Sequence, residues 1–156
     1  MTIVDKIINS IQAVLDWDEI VTDGNGVQTT VHHTFPVYYH NHPTLNLMTD
    51  GMQFPCALVV LLTTGRPVQE AGQLKEQVSA EVFFVEPHDC MDFNAVDNEA
   101  VIDRCKDKAF QWLMSLNTGD VELVSYTRSE RIYGQYDDIL TGYGVLAELK
   151  ETIGIC

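Results

Sequence analysis

Positive charge is scarce in this chain. Nine Lys and Arg stand against 23 Asp and Glu, a formal charge of −14 over 156 residues. A surface of that sign repels phosphate, so neither sequence-specific nucleic-acid binding nor docking on an anionic membrane is expected. Long apolar runs are also missing. The longest is CALVVLL, Cys56 to Leu62, far short of the roughly 20 residues that a bilayer-spanning helix needs. The N-terminal stretch MTIVDKIINSIQAVLDWDEI lacks the basic region, unbroken apolar region and cleavage site of a secretory signal, which predicts a protein kept in the cytosol. Cysteine is sparse: Cys56, Cys90, Cys105 and Cys156 form no CxxC pair, and free thiols in a reducing compartment are expected. The chain has no GxSxG, no GxxxxGK[ST] and no GxGxxG. Those gaps exclude a nucleophile elbow, a P-loop and a dinucleotide fingerprint. Gly24-Asn25-Gly26 and Gly142-Tyr143-Gly144 are lone GxG units that read as turn and strand-start glycines.

What is present is the composition of one globular domain, residues 1–156. Hydrophobic residues make up 46% and charged residues 21%. A chain of this length buries roughly 68–70% of its unfolded surface and can build a core without metal or disulfide. Residues 2–15 carry Val4, Ile7, Ile8, Ile11, Val14 and Leu15 at helical spacing, behind a capping-box-like Thr2 and Asp5. The helix is expected to end near Asp16 to Asp18. Thr22 to Val27 read as a hairpin turn, followed by a half-buried strand with Val27, Thr29 and Val31 on one face. Pro36 marks an edge or bulge before Val37 to Tyr39. Residues 41–54 and 65–78 read as two long connections. Between them, residues 55–64 predict a central strand covered on both faces. A strand over 79–86 ends at Pro87. A helix over 95–117 presents Ile102, Cys105, Ala109, Trp112, Leu113 and Leu116 as one stripe, with Asn94 as candidate N-cap and Gly119 as candidate stop. Three strands near 121–127, 130–136 and 143–149 complete the chain. The order predicts an α+β fold, with two amphipathic helices on one face of a mainly antiparallel sheet.

Three residue groups are candidates for chemistry. The histidines are His32, His33, His40, His42 and His88; His40-Asn41-His42 is an HxH spacing, and His88, Asp89 or Cys90 could add ligands for zinc or copper. Neither HExxH nor a CxxC pair supports that set, and loop histidines account for it more simply. Cys90 beside His88 is a thiol–imidazole pair by adjacency only. The acid clusters Asp16-Trp17-Asp18-Glu19 and Asp137-Asp138 match no calcium loop and read as solvated turns. In Tyr38-Tyr39 and Phe83-Phe84 one ring of each pair belongs to a core, and the other is free to line an interface.

The C-terminal passage YGQYDDILTGYGVLAELKETIGIC, preceded by FFVEPHDCMDFNAVDNEAVIDRCKDKAFQWLMSLN, is similar to small tail-completion proteins of bacteriophages and prophages. At residue level the similarity rests on Asp92-Phe93, Asp137-Asp138, Thr141-Gly142 and Gly154. As a layout it covers nearly the whole chain. The resemblance implies a tail-terminator-like fold and a structural, non-catalytic role with no cofactor and no catalytic residue. It implies a homo-oligomeric ring, often hexameric, that joins other tail or neck proteins. The ring would assemble in the host bacterial cytoplasm and reside in the virion tail of an active phage. Leu47, Met48, Met52 and Phe54 are then the candidate interface residues, unless they fold back on their own core. An acidic lumen would let DNA pass without sticking. Two other readings stand beside this one. The first is a metal- or thiol-dependent enzyme using His40, His42, His88 and Cys90. The second is an acidic adaptor or inhibitor of a basic host protein.

Overall fold

A computed structural model describes residues 2–39, 53–62, 66–87, 95–116, 121–134 and 140–155. The first helix, α1, spans Ile3–Leu15. The Asp5 amide donates to the Thr2 hydroxyl at 3.1 Å, and the Thr2 amide donates back to the Asp5 carboxylate at 2.9 Å. This reciprocal box satisfies amides that have no partner within the helix. It also holds the Asp5 carboxyl below the usual carboxylate range, because the Thr2 amide bonds the ionised form. The chain turns extended at Asp16. The second helix, α2, spans Ala95–Ser115 and buries Val101, Ile102, Cys105, Ala109, Trp112 and Leu113, a stripe that continues to Leu116.

Eight strands complete the described chain: β1 (Trp17–Thr22), β2 (Gln28–His33), β3 (Val37–Tyr39), β4 (Cys56–Leu61), β5 (Arg66–Glu70), β6 (Gln73–Pro87), β7 (Val121–Gly134) and β8 (Leu140–Ile155). β1 and β2 form a separate two-stranded ribbon. The main sheet runs β3-β4-β6-β8-β7, with β5 paired to the first part of β6. All its pairings are antiparallel except β3 with β4. The architecture is α+β with a mainly antiparallel sheet, as the order of elements predicts.

Strand alternation divides the sheet into two faces. Ala57, Val59, Val78, Ala80, Val82, Phe84, Tyr143, Val145, Ala147 and Leu149 point to one face and pack with the buried stripes of both helices. The helices therefore share that face. On the other face Cys56, Leu58, Val60, Phe83, Val85 and Leu140 form a second buried cluster. β4 contributes to both clusters, which explains its unbroken apolar run. The same division buries both rings of Phe83-Phe84, one in each cluster, so neither is free for an interface.

Three expectations are corrected. The expected long connection over residues 65–78 is, from residue 66 on, the hairpin of β5 and β6. Its two turn residues, Ala71 and Gly72, have φ of 51° and 74°, the left-handed pair that a tight hairpin requires. An Ala at the first of these positions carries no turn signal, so the hairpin is invisible to pattern reading. The strands expected at 121–127 and 130–136 are one strand, β7, whose pairing with β8 shifts register at Leu123/Ser125 and at Tyr126/Arg128. Bulges break the alternation there without ending the strand. Finally, the strand after the Asp-Gly-Asn-Gly turn is not half-buried. β2 is exposed on both faces up to Thr30, Val31 and His32, and its partner β1 is exposed throughout.

Candidate functional site

The feature that stands apart from the core is the β1–β2 ribbon. Its turn is built by Asp23, whose carboxylate accepts the amides of Asn25 at 2.8 Å and Val27 at 2.9 Å, with Gly26 at a φ of 76°. In the ribbon register Trp17 faces His33, Glu19 faces Val31 and Val21 faces Thr29, all on one side. Asp18 faces His32 and Ile20 faces Thr30 on the other. Trp17 and His33 stack with centroids 5.0 Å apart. Trp17, Ile20, Val21, Val27 and Val31 all remain exposed, Ile20 to 66%. Isolated apolar residues on a surface need no explanation, but Trp17, Val21 and Val31 share one side of the ribbon, with Ile20 on the other and Val27 at the turn.

The ribbon root is charged. His32 Nδ1 lies 2.8 Å from Asp18 and its Nε2 3.4 Å from Asp16, the residue that ends α1. Only the imidazolium can donate from both nitrogens. The Asp18 hydrogen bond, helped by Asp16, accordingly raises the His32 pKa. Asp16 also accepts the Phe35 amide at 2.6 Å, so one carboxylate ties the two ends of the ribbon together. His33 Nε2 pairs with Glu19 at 2.7 Å. The cluster Asp16-Trp17-Asp18-Glu19 is therefore the first strand of a ribbon whose acids hold its histidines, not a solvated turn.

A second feature lies at the far edge of the main sheet. Phe110, Leu113 and Met114 of α2, with Leu123 and Tyr126 of β7, line an apolar groove of about 370 Å³. Met114 is 76% exposed there, and Val124 on the same edge strand is also exposed. Phe110 meets both Tyr126 and Tyr143 edge-on or tilted, and the Lys106 ammonium sits 5.7 Å above the Phe110 ring.

On the sheet face away from the helices, the part beyond the apolar cluster is a network of paired charges. Lys75 reaches Glu122 at 3.1 Å and Glu70 at 3.6 Å, Lys150 bonds Glu70, and Ser79 donates to Glu148 at 2.6 Å. Lys150 lowers the Glu70 pKa, and Glu122 raises that of Lys75. These groups satisfy one another.

His40, His42, His88 and Cys90, the candidate ligands and thiol pair, lie outside the described residues. So do Leu47, Met48 and Met52 of the candidate interface, together with Asn94 and Gly119. Phe54 is described, and it packs half-buried against the second cluster beside Tyr38; it folds back on its own core. Of the cysteines, Cys56 and Cys105 are buried and free. Burial pushes both thiols up to about 12, which makes them poor nucleophiles at neutral pH. Among the described residues no group of three or more His, Cys, Asp or Glu is arranged to hold a metal ion, and no helix is long and apolar enough to cross a membrane. Pattern reading located the ribbon turn and missed its first strand and its exposure. The groove was readable only in part, as Phe110 and Met114 sitting off the buried stripe. Comparison of the chain with models of known protein families and with curated proteins finds no match.

Proposed function

We propose that the chain is a structural assembly protein of a phage-like tail, a terminator, completion or head–tail joining part that works by closing a ring with copies of itself and catalyses nothing. One observation carries this reading. The β1–β2 ribbon projects five exposed apolar side chains and pairs with no other described strand. A lone two-stranded hairpin is marginal in water, and its apolar face gains stability only when something covers it. A ring requires such a surface on each protomer, matched to a different surface on the next. The α+β layout with both helices on one face, and the tail-completion resemblance of the C-terminal half, supply the phage-tail context. In that context the protein assembles in the host bacterial cytoplasm with other tail or neck proteins, and its charge of −14 keeps DNA from sticking as it passes.

Size-exclusion chromatography with light scattering, run across a wide concentration range, tests the reading. The expected result is a discrete oligomer whose mass is a whole multiple of the chain. A monomer at every concentration, which stays monomeric when co-expressed with the proteins encoded beside it, overturns it.

A further inference from the structure

We infer that the apolar face of the β1–β2 ribbon seats in the groove between α2 and β7 of a second copy of this chain. The inference rests on the self-assembly reading above and names the contact that performs it.

Topology places the two surfaces at different edges of the molecule. The ribbon leaves α1 at Asp16 and returns at Phe35, directly before β3, one outer strand of the main sheet. The groove is lined by β7, the outer strand at the other end. Four strand spacings separate β3 from β7, roughly 19 Å at about 4.8 Å each. Within one chain Trp17, Val21 and Val31 of the ribbon and Met114 and Tyr126 of the groove all remain exposed. Between two chains they form a head-to-tail contact, the heterologous kind that can close into a ring.

The chemistry of the two surfaces matches. Trp17, Val21 and Val31 lie on one side of the ribbon, and Phe110, Met114 and Tyr126 face solvent or the groove at the other site. A groove of about 370 Å³ is at the small end for a metabolite but admits an indole. Aromatic anchors in such pockets carry most of an interface's energy. Charge agrees as well. The same side of the ribbon carries Glu19, and no Lys or Arg lies between Trp17 and His33, while the Lys106 ammonium sits over the ring of Phe110, one of the groove's lining residues. The mode of contact follows from β7 itself. Its two register shifts against β8 are bulges that bend this edge strand, and bulged edges oppose simple strand addition. Docking is therefore by side chains into the groove.

Two variants that each remove one half of the contact give a decisive test. Val21→Glu puts an acid on the ribbon's apolar side and leaves the groove intact. Met114→Glu puts an acid in the groove, against an acidic ribbon, and leaves the ribbon intact. Thr22→Lys, on the ribbon's other side, is the control, and circular dichroism checks that each variant is folded. Each of the two variants alone should be monomeric in light scattering, and Thr22→Lys should assemble as wild type does. Mixed in equal amounts, Val21→Glu and Met114→Glu should form a one-to-one dimer and nothing larger, because one intact ribbon–groove junction is available and the altered ribbon and altered groove repel each other. Assembly of both single variants at the wild-type mass would overturn the ribbon–groove contact while leaving self-assembly standing. Monomeric folded variants whose mixture stays monomeric would overturn it too, as would a groove that binds some other protein while wild-type oligomers keep it open. A monomeric wild type would instead remove the self-assembly reading itself.

Discussion

The indole N–H of Trp112 donates to the hydroxyl of Ser10 at 2.9 Å, a hydrogen bond between two helices that are far apart in the chain. Trp112 is fully buried, so this donor has left water completely. Ser10→Ala removes the acceptor while keeping helix propensity, and leaving a buried donor unmatched costs about 1–3 kcal/mol. Urea unfolding should show a lower midpoint with an unchanged slope. Ser10→Thr, which keeps a hydroxyl, should lose less. An Ala variant with the wild-type midpoint would mean that the bond adds nothing to the docking of α1 on α2.

Lys6 and Glu151 tie the same helix to the sheet. Their charged atoms are 2.5 Å apart, and the side chains are 21% and 6% exposed. Glu151 Oε2 has no aligned hydrogen-bond donor among the described residues, so Lys6 compensates it by charge. Lys6→Met strands a buried carboxylate. Breaking such pairs costs roughly 3–5 kcal/mol, and the partial exposure of Lys6 places this one near the lower end. The double variant Lys6→Met with Glu151→Leu should recover most of that loss, because two well-packed apolar groups can replace a buried pair. A double-mutant cycle on denaturation free energies checks both statements, and equal losses in the single and double variants would contradict them.

These contacts also mark where sequence reading stops. The helices, their stripes and the two-sided burial of β4 were legible because periodicity and an unbroken apolar run report burial directly. Trp17 to Thr22 was not, because a strand exposed on both faces shows no alternation and its acids resemble a helix end. The β5–β6 hairpin was hidden by Ala71 standing where Asn or Gly usually signals the turn. β7 reads as two strands because its bulges break the period of two. The ribbon's carboxylate–histidine pairs depend on cross-strand register, which no single strand's sequence states. The groove depends on how α2 lies over β7, a tertiary relation that only packing fixes.

Protonation of His32 should strengthen its contacts with Asp18 and Asp16 at the ribbon root. Its pKa is raised above the ordinary 6.5, first by the hydrogen bond to Asp18 and then by Asp16. For a raised histidine the contribution to the folded state is complete below the unfolded-state pKa and is lost as pH rises through the folded one. The His32 contacts with Asp18 and Asp16 are therefore strongest in mildly acidic solution and weaken above the raised pKa, while the Phe35 amide stays bonded to Asp16. Proton NMR of the His32 ring should give a midpoint above 6.5. Asp18→Asn should bring it back toward the ordinary value, and it should do so more strongly than Asp16→Asn. A midpoint at or below 6.5 in the wild type would contradict the pairing.

Gly142 faces Val85 across the central pair β6 and β8. A methyl group built on it would sit 1.9 Å from the Phe84 carbonyl oxygen and 2.9 Å from the Val85 Cα. Both obstacles are backbone, so no side chain can swing away to make room. Gly142→Ala must push apart two strands that each have a second neighbour and both carry core residues. Overpacking of that kind costs typically 1–3 kcal/mol and occasionally more, and the fixed backbone places this case at the upper end. For a chain of this size each kcal/mol lowers the melting temperature by about 2–4 °C, so a fall of about 6–12 °C is expected. Gly24→Ala, with nothing within 4 Å of the added methyl, should change little, within about 0.5 kcal/mol. Thermal unfolding of the two variants side by side checks the contrast. Equal melting temperatures would mean that β6 and β8 leave room for a methyl group at Gly142.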